Sequence, residues 1–337
     1  MQKLTTMLLL LMTVCLTLNG LTAQNLAATT TPLSEVEQLQ LPRLDNKELL
    51  QAEQARRAPG LAPRFAETIE VDVSPNTHGT WEVTNGTAIW RLRVPSPGAK
   101  SINFGFDQYR MPQGGQLMLY TPDGALVQGP FTPADNEEHE ELWTPVIPGD
   151  ELVIEVSLPA ARQHELRLHL KSVNHDFLGF GDVASSILSG SCNLDVVCDA
   201  GDGWGIVDQY RDIIQSVAVI GLGGGTFCTG FLVSNARQDC TPFFMTANHC
   251  GINNGNAASL VVYWNFINSV CRQPGTAASG GNGDGTLADF NSGSIFRAGY
   301  GASDMTLVEL DDPVSETANA WFAGWDAREV LPQDTII

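Results

Sequence analysis

Apolar and polar side chains alternate in short runs through most of this chain. Glu70-Val71-Asp72-Val73, Ala88 to Val94, Gln116 to Tyr120 and Glu151 to Val156 set apolar residues two apart or in brief unbroken blocks. That is the period of β-strands with one or both faces buried. Asn85-Gly86, Pro97-Gly98, Pro122-Asp123-Gly124 and Pro148-Gly149-Asp150 punctuate them as turns, and the spacing predicts a β-sandwich over 65–180. A second set, Gln215 to Ile220, Phe227 to Val233, Phe243 to Ala247, Ser259 to Trp264 and Asp304 to Leu310, predicts another all-β domain over 192–337. Between the two sets, the small residues of 181–191 read as a linker, and Gly275 to Gly285 reads as a long glycine-rich loop. Helical periodicity is weak and confined to Leu33 to Arg57, so residues 24–64 are expected to form a spacer or a short helix.

The amino terminus breaks this pattern. Lys3 is followed by an apolar run from Met7 to Leu18 and then by small or polar residues to Ala23, which predicts a secretory signal peptide over 1–23. No later stretch approaches the roughly 20 apolar residues of a transmembrane helix, so no membrane anchor is expected. The chain of 337 residues has room for two domains of ordinary size. Its formal net charge is −20, with 13 Lys/Arg against 22 Asp/Glu over 1–190 and 5 against 16 over 191–337, which argues against nucleic acid as a partner. Cys192, Cys198, Cys228, Cys240, Cys250 and Cys271 lie within 80 residues, while Cys15 sits in the leader. Export to an oxidising compartment favours disulfides, and neither Cys-x-x-Cys nor His-x-x-x-His spacing occurs, so no metal site is expected.

One constellation carries chemistry. Phe243-Phe244-Met245-Thr246-Ala247-Asn248-His249-Cys250 ends an apolar strand with a small-residue turn, a histidine and a half-cystine. A general base needs such a rigid mount, because proton transfer requires hydrogen-bond reach to the nucleophile. Cys228, 22 residues earlier in Gly224-Gly225-Thr226-Phe227-Cys228-Thr229-Gly230, offers a second half-cystine that would clamp the two strands together. Ser303-Asp304-Met305-Thr306-Leu307 sets an acid just before another apolar strand, where a buried carboxylate accepting the imidazole Nδ1 proton would fix tautomer and orientation.

In that order these segments resemble the trypsin-like serine proteases. Ser189 to Cys198, Val261-Val262-Tyr263-Trp264-Asn265, Ser269-Val270-Cys271-Arg272, Asn282-Gly283-Asp284-Gly285 and Ala323-Gly324-Trp325-Asp326 are similar to the lysyl-endopeptidase type in particular. The resemblance covers 189–337, and residues 65–180 resemble the β-sandwich pro-region that bacterial enzymes of this type carry. It implies an all-β chain, a sandwich followed by the first barrel of a trypsin-like double barrel. It implies His249 as general base, Asp304 as its orienting acid, and the disulfides Cys198–Cys271 and Cys228–Cys250. Cys192 is left without the later cysteine that the family pairs with it, and Cys240 has no assigned partner. The serine segment expected after the aspartate does not occur between Asp304 and Ile337, and Ser279-Gly280-Gly281 precedes the aspartate in the glycine-rich loop. With 146 residues from Cys192 to Ile337 against the roughly 200–250 of a large all-β domain, the second barrel is expected to be missing from this sequence.

The expected function is that of a secreted, extracellular serine endopeptidase precursor, monomeric, needing no cofactor and acting on protein or peptide substrates, with cleavage after Lys implied by the resemblance. The 337 residues by themselves are expected to be inactive. The rival reading is a protease-like binding or adhesion protein without catalysis. Retention of both His249 and Asp304 argues against it, and Trp81, Trp90 and Trp143 read as core or rim residues, not as a sugar platform. Processing is expected within 181–191, near Ile187, although the nearest upstream lysine, Lys171, falls in the last strand expected of the pro-region.

Overall fold

The computed structural model describes residues 26–58, 60–180, 192, 194–279 and 283–326. The leader 1–23 and the processing segment 181–191 with Ile187 lie outside the described residues.

The amino-terminal half contains β1 (Ala66–Val73), β2 (Thr80–Thr84), β3 (Thr87–Pro95), β4 (Ser101–Arg110), β5 (Gln116–Tyr120), β6 (Val127–Phe131), β7 (Leu142–Trp143), β8 (Ile147–Pro148), β9 (Glu151–Pro159) and β10 (Arg167–Asp176). They form two antiparallel sheets. One has the order β1-β10-β4-β7 with β8 also on β4; the other runs β2-β3-β9-β5-β6. Trp90, Leu92, Phe104, Phe106, Leu117, Leu119, Ile154 and Val156 meet between them and are essentially excluded from water. Here β9 is buried along nearly its whole length, which alternation alone does not explain. Its outer face is covered by the segment preceding β1. Glu155 accepts the Ala27 amide, Glu82 accepts the amides and hydroxyls of Thr30 and Thr31, and Arg91 donates to the Thr31 carbonyl. Arg91 and Glu155 are buried by this strap, and their polar atoms are met by its backbone, as buried polar groups require. The strap continues along β3, where the Leu39 amide donates to the Arg93 carbonyl and the Arg93 amide donates to the Glu37 carbonyl. It then enters helix α1 (Asn46–Arg56), whose first amides are capped by the Asp45 carboxylate. The region expected as a spacer is thus packed against the sandwich.

The carboxy-terminal half holds β11 (Val217–Leu222), β12 (Thr226–Leu232), β13 (Phe243–Thr246), β14 (Leu260–Trp264), β15 (Phe290–Ser292), β16 (Ser294–Tyr300) and β17 (Met305–Leu310). They make one antiparallel sheet, β15-β14-β11-β12-β13-β17-β16. Its two edge strands are successive in the chain with only Gly293 between them, so the sheet curls round until its edges meet at that residue. Gly293 has φ +86°, and a Cβ there would lie 2.0 Å from Asp311 Oδ2, so the corner needs glycine. Ile220, Leu232, Phe244, Val262, Trp264 and Val308 fill the interior.

A third apolar cluster joins the halves. Phe65, Ala66, Trp143, Val146 and Phe180 of the first pack on Val261 and Tyr263 of the second. The β11–β12 turn is inserted beside β1 and β4: Phe65 donates to the Gly225 carbonyl at 2.9 Å, Phe227 donates to Pro63, and Asn103 Nδ2 donates to the Gly224 carbonyl. On the far side of the seam His139 pairs with Asp311 at 2.8 Å. Among the described residues no helix is long and apolar enough to cross a membrane.

Candidate active site

Strand β13 runs antiparallel to β17 with Thr246 opposite Thr306, so the residue just before β17 lies beside the turn just after β13. The ladder extends one step further, as the Asn248 amide donates to the Asp304 carbonyl at 3.1 Å. Asp304 closes a short 3-10 turn, Gly301–Ser303, in the left-handed region with φ 51° and ψ 46°. This conformation is uncommon for a side-chain-bearing residue and swings its carboxylate back over the β13 end.

There it meets the histidine twice. The His249 amide donates to Asp304 Oδ1 at 2.9 Å, and ring Nδ1 lies 2.7 Å from Oδ2. A carboxylate only accepts, so Nδ1 carries a proton, and in the neutral ring Nε2 then keeps its lone pair free to take one. These bonds hold the Asp304 carboxyl below the usual aspartate range. The expectation of a buried carboxylate is corrected: the Asp304 side chain is 52% exposed and that of His249 is 40% exposed. The left-handed turn puts both at the open rim of the barrel, so the bidentate hydrogen bonding, not burial, orients the acid.

The support beneath is covalent. Cys228 on β12 is bonded to Cys250 in the turn that carries His249, and Thr246 Oγ1 donates to the Thr229 carbonyl at 2.6 Å. Gly230 lets β12 approach: a Cβ there would fall 2.3 Å from Phe244. Cys198 is bonded to Cys271, and Asp195 grips Arg272 through backbone and guanidinium beside that bond. Cys192 and Cys240 are exposed and lie outside these disulfides. Cys228, His249 and Cys250 converge, as do Cys198, Asp202 and Cys271, but in each trio the two sulfurs are bonded to one another, which removes the thiolates a metal would need. Ser279 is buried, and Gly280 and Gly281 lie outside the described residues.

The sequence alone gave no role to Asn248, Thr306 or the Gly299–Gly301 approach. Their signal is only the tertiary contact between two strand ends.

The curled sheet with a histidine and an aspartate paired at its rim defines an all-β chain of trypsin-like fold. Comparison with known families agrees. The family model "Lysyl endopeptidase, C-terminal domain" matches residues 188–337, and "Lysyl endopeptidase N-terminal domain" matches 38–177. A lysyl endopeptidase of Pseudomonas aeruginosa is 27% identical over 307 residues, covering 83% of this chain. The chain belongs to the lysyl endopeptidase family. It spans 63% of that relative's length.

Proposed function

We propose that these residues form the pro-region and the base-and-acid half of a secreted serine endopeptidase that cleaves after lysine. The 2.7 Å contact between His249 Nδ1 and Asp304 Oδ2 carries the reading. It fixes the tautomer in which Nε2 accepts a proton from a nucleophilic hydroxyl and later returns it to the leaving amine, while the carboxylate stabilises the imidazolium formed between. Family membership supports peptide substrates and the preference for lysine. The domain reading assigns 65–180 to the pro-region, 181–191 to the processing segment and 192–337 to the peptidase.

The nucleophile, oxyanion donors and lysine pocket belong to a second barrel beyond these residues, and the 337-residue chain does not turn over. After Asp304 only Ser315 offers a serine hydroxyl, without flanking glycines. An apolar groove of 730 Å³ lined by Val196, Ile206, Tyr210, Ile213, Val217 and Phe231 is a surface that further chain could cover. The test compares the complete reading frame with residues 1–337 on lysyl, arginyl and neutral peptide substrates. The complete enzyme should cleave after lysine, react covalently with a sulfonyl fluoride, and lose at least about 10³-fold in kcat with His249→Ala. Turnover by the short form would defeat the assignment.

A further inference from the structure

Asp304 poses a mechanical question. Its carboxylate must stay within hydrogen-bond reach of His249, yet its side chain is half exposed and the backbone beneath it is in an unfavoured conformation. Packing does not hold it. Its own turn contributes one long hydrogen bond, from the Asp304 amide to the Gly301 carbonyl at 3.3 Å.

The restraint comes from the opposite strand. Asn248, half-buried beside His249, donates its backbone amide to the Asp304 carbonyl, while its side-chain Nδ2 donates to Thr306 Oγ1 at 3.1 Å. Thr306 is fully buried in β17, so this anchor is fixed. The same amide fills the hollow beneath the turn: a Cβ on Gly299 would lie 3.3 Å from Asn248 Nδ2, and one on Gly301 would lie 3.4 Å from its Oδ1. The side chain does not cap its own short 3-10 helix, Asn248–Cys250. It reaches across to span Asp304 on both sides, by backbone at residue 304 and by side chain at residue 306.

We propose that Asn248 is a positioning residue of the dyad: by pinning the start of β17 to the end of β13 it holds Asp304 in the one backbone conformation that faces His249. The inference rests on the reading of His249 and Asp304 as base and acid. An amide suits the position because it supplies a donor to a hydroxyl and a neutral, planar wedge against two glycines. Alanine lacks the donor, and a carboxylate would add a second negative charge beside Asp304.

The experiment reads the ring of His249 directly and needs no turnover. In the full 337-residue chain, long-range ¹H–¹⁵N correlation at a pH where the imidazole is neutral should show a single Nδ1–H tautomer. Asn248→Ala and the isosteric Thr306→Val should each lose that single form and give the mixed tautomers of an unrestrained imidazole, with unchanged strand content by circular dichroism. Two variants on opposite ends of one hydrogen bond guard against a folding failure in either. Asp304→Asn is the reference for complete loss. If Asp304→Asn abolishes the single tautomer while both other variants retain it, the role of Asn248 is overturned and the dyad stands. If Asp304→Asn itself leaves the tautomer unchanged, the dyad is overturned and the role of Asn248 falls with it.

Discussion

Asp304 carries more than its residue type suggests. It accepts two bonds from His249, one from the backbone and one from the ring, and these lower its pKa although the group is in water. A depressed carboxylate pKa stabilises the folded arrangement above the ordinary aspartate value, and that contribution is lost as pH falls through the folded value. The Asp304 carboxyl should therefore titrate at lower pH than a free aspartate, and His249→Ala should move it back up. Carbon-13 titration of the carboxyl checks both, and equal midpoints in the two proteins would show that the bonds do not shift it. His249 and Asp304 were legible in sequence because one follows an apolar strand and adjoins a half-cystine while the other precedes an apolar strand. Asn248 was not, since an asparagine between alanine and histidine has no periodicity to mark it. The left-handed conformation of Asp304 was equally hidden, because serine, aspartate and methionine in succession demand no positive φ.

At the next scale, strands were legible where apolar residues dominate. The runs 116–120 and 243–247 agree with β5 and β13 to within a residue. Two central strands of the sandwich are hard to see in sequence: β4 escaped notice, and β10 was expected only as a last strand around Lys171. β10 buries Ser172, Asn174, His175 and Asp176, and β4 buries Ser101 and Asn103, so their patterns look polar. Most of their polar atoms find partners: Asn174 Nδ2 donates to Asn103 Oδ1, Asp176 accepts Ser101 Oγ with the amides of Leu178, Gly179 and Phe180, and His175 meets Ser96 and Asn46, while Ser172 Oγ has none among the described residues. Such networks are invisible to hydropathy. The β11–β12 turn shows the consequence. Gly223 and Gly224 both have positive φ, but a Cβ on Gly223 meets nothing within 4 Å, whereas one on Gly224 would lie 2.1 Å from Asn174 Nδ2. Gly223→Ala should cost about 1 kcal/mol for its backbone conformation, and Gly224→Ala at least about 2 kcal/mol because the sandwich must also give way. Urea unfolding of the two variants compares them, and equal losses would mean that the turn is not lodged against Asn174.

The whole molecule is held across a seam that is apolar at one end and acidic at the other. At the first end Phe65 stacks on Phe180, Phe227 tilts against both, and Tyr263 meets Phe180 edge-on. At the second, Asp135, Glu137, His139 and Glu141 face Asp311 and Asp312 around a cavity of 220 Å³. Burial together with the charges of Asp311 and Asp312 raises the Glu137 pKa, and burial with Asp135 and Asp311 raises that of Asp312. Burial opposes charge on His139, but the hydrogen bond and charge of Asp311, with Glu141 and Glu137, outweigh it and raise the ring's pKa. Groups that hold protons more tightly when folded contribute fully below their unfolded values, and the contribution is lost as pH rises through the raised ones. The contribution of this cluster should thus be largest below the ordinary carboxylate range and fall as pH rises through the raised values, and Asp312→Asn should flatten part of that fall. Urea midpoints across the range measure it; parallel curves for wild type and variant would remove Asp312 from the effect.

Local order in the chain was enough for the all-β class, two sets of strands, and the order of cysteine, histidine and aspartate, because each depends on neighbours within a few residues. Tertiary contacts settled the rest. Residues 27–31 pack as a strap because Glu82, Arg91 and Glu155, far away in sequence, satisfy its backbone. The acid is exposed instead of buried because the register of β13 with β17 places its turn at the rim. The halves dock because a glycine turn meets the buried Asn103 and Asn174, far earlier in the chain, a match between two surfaces that no local pattern encodes.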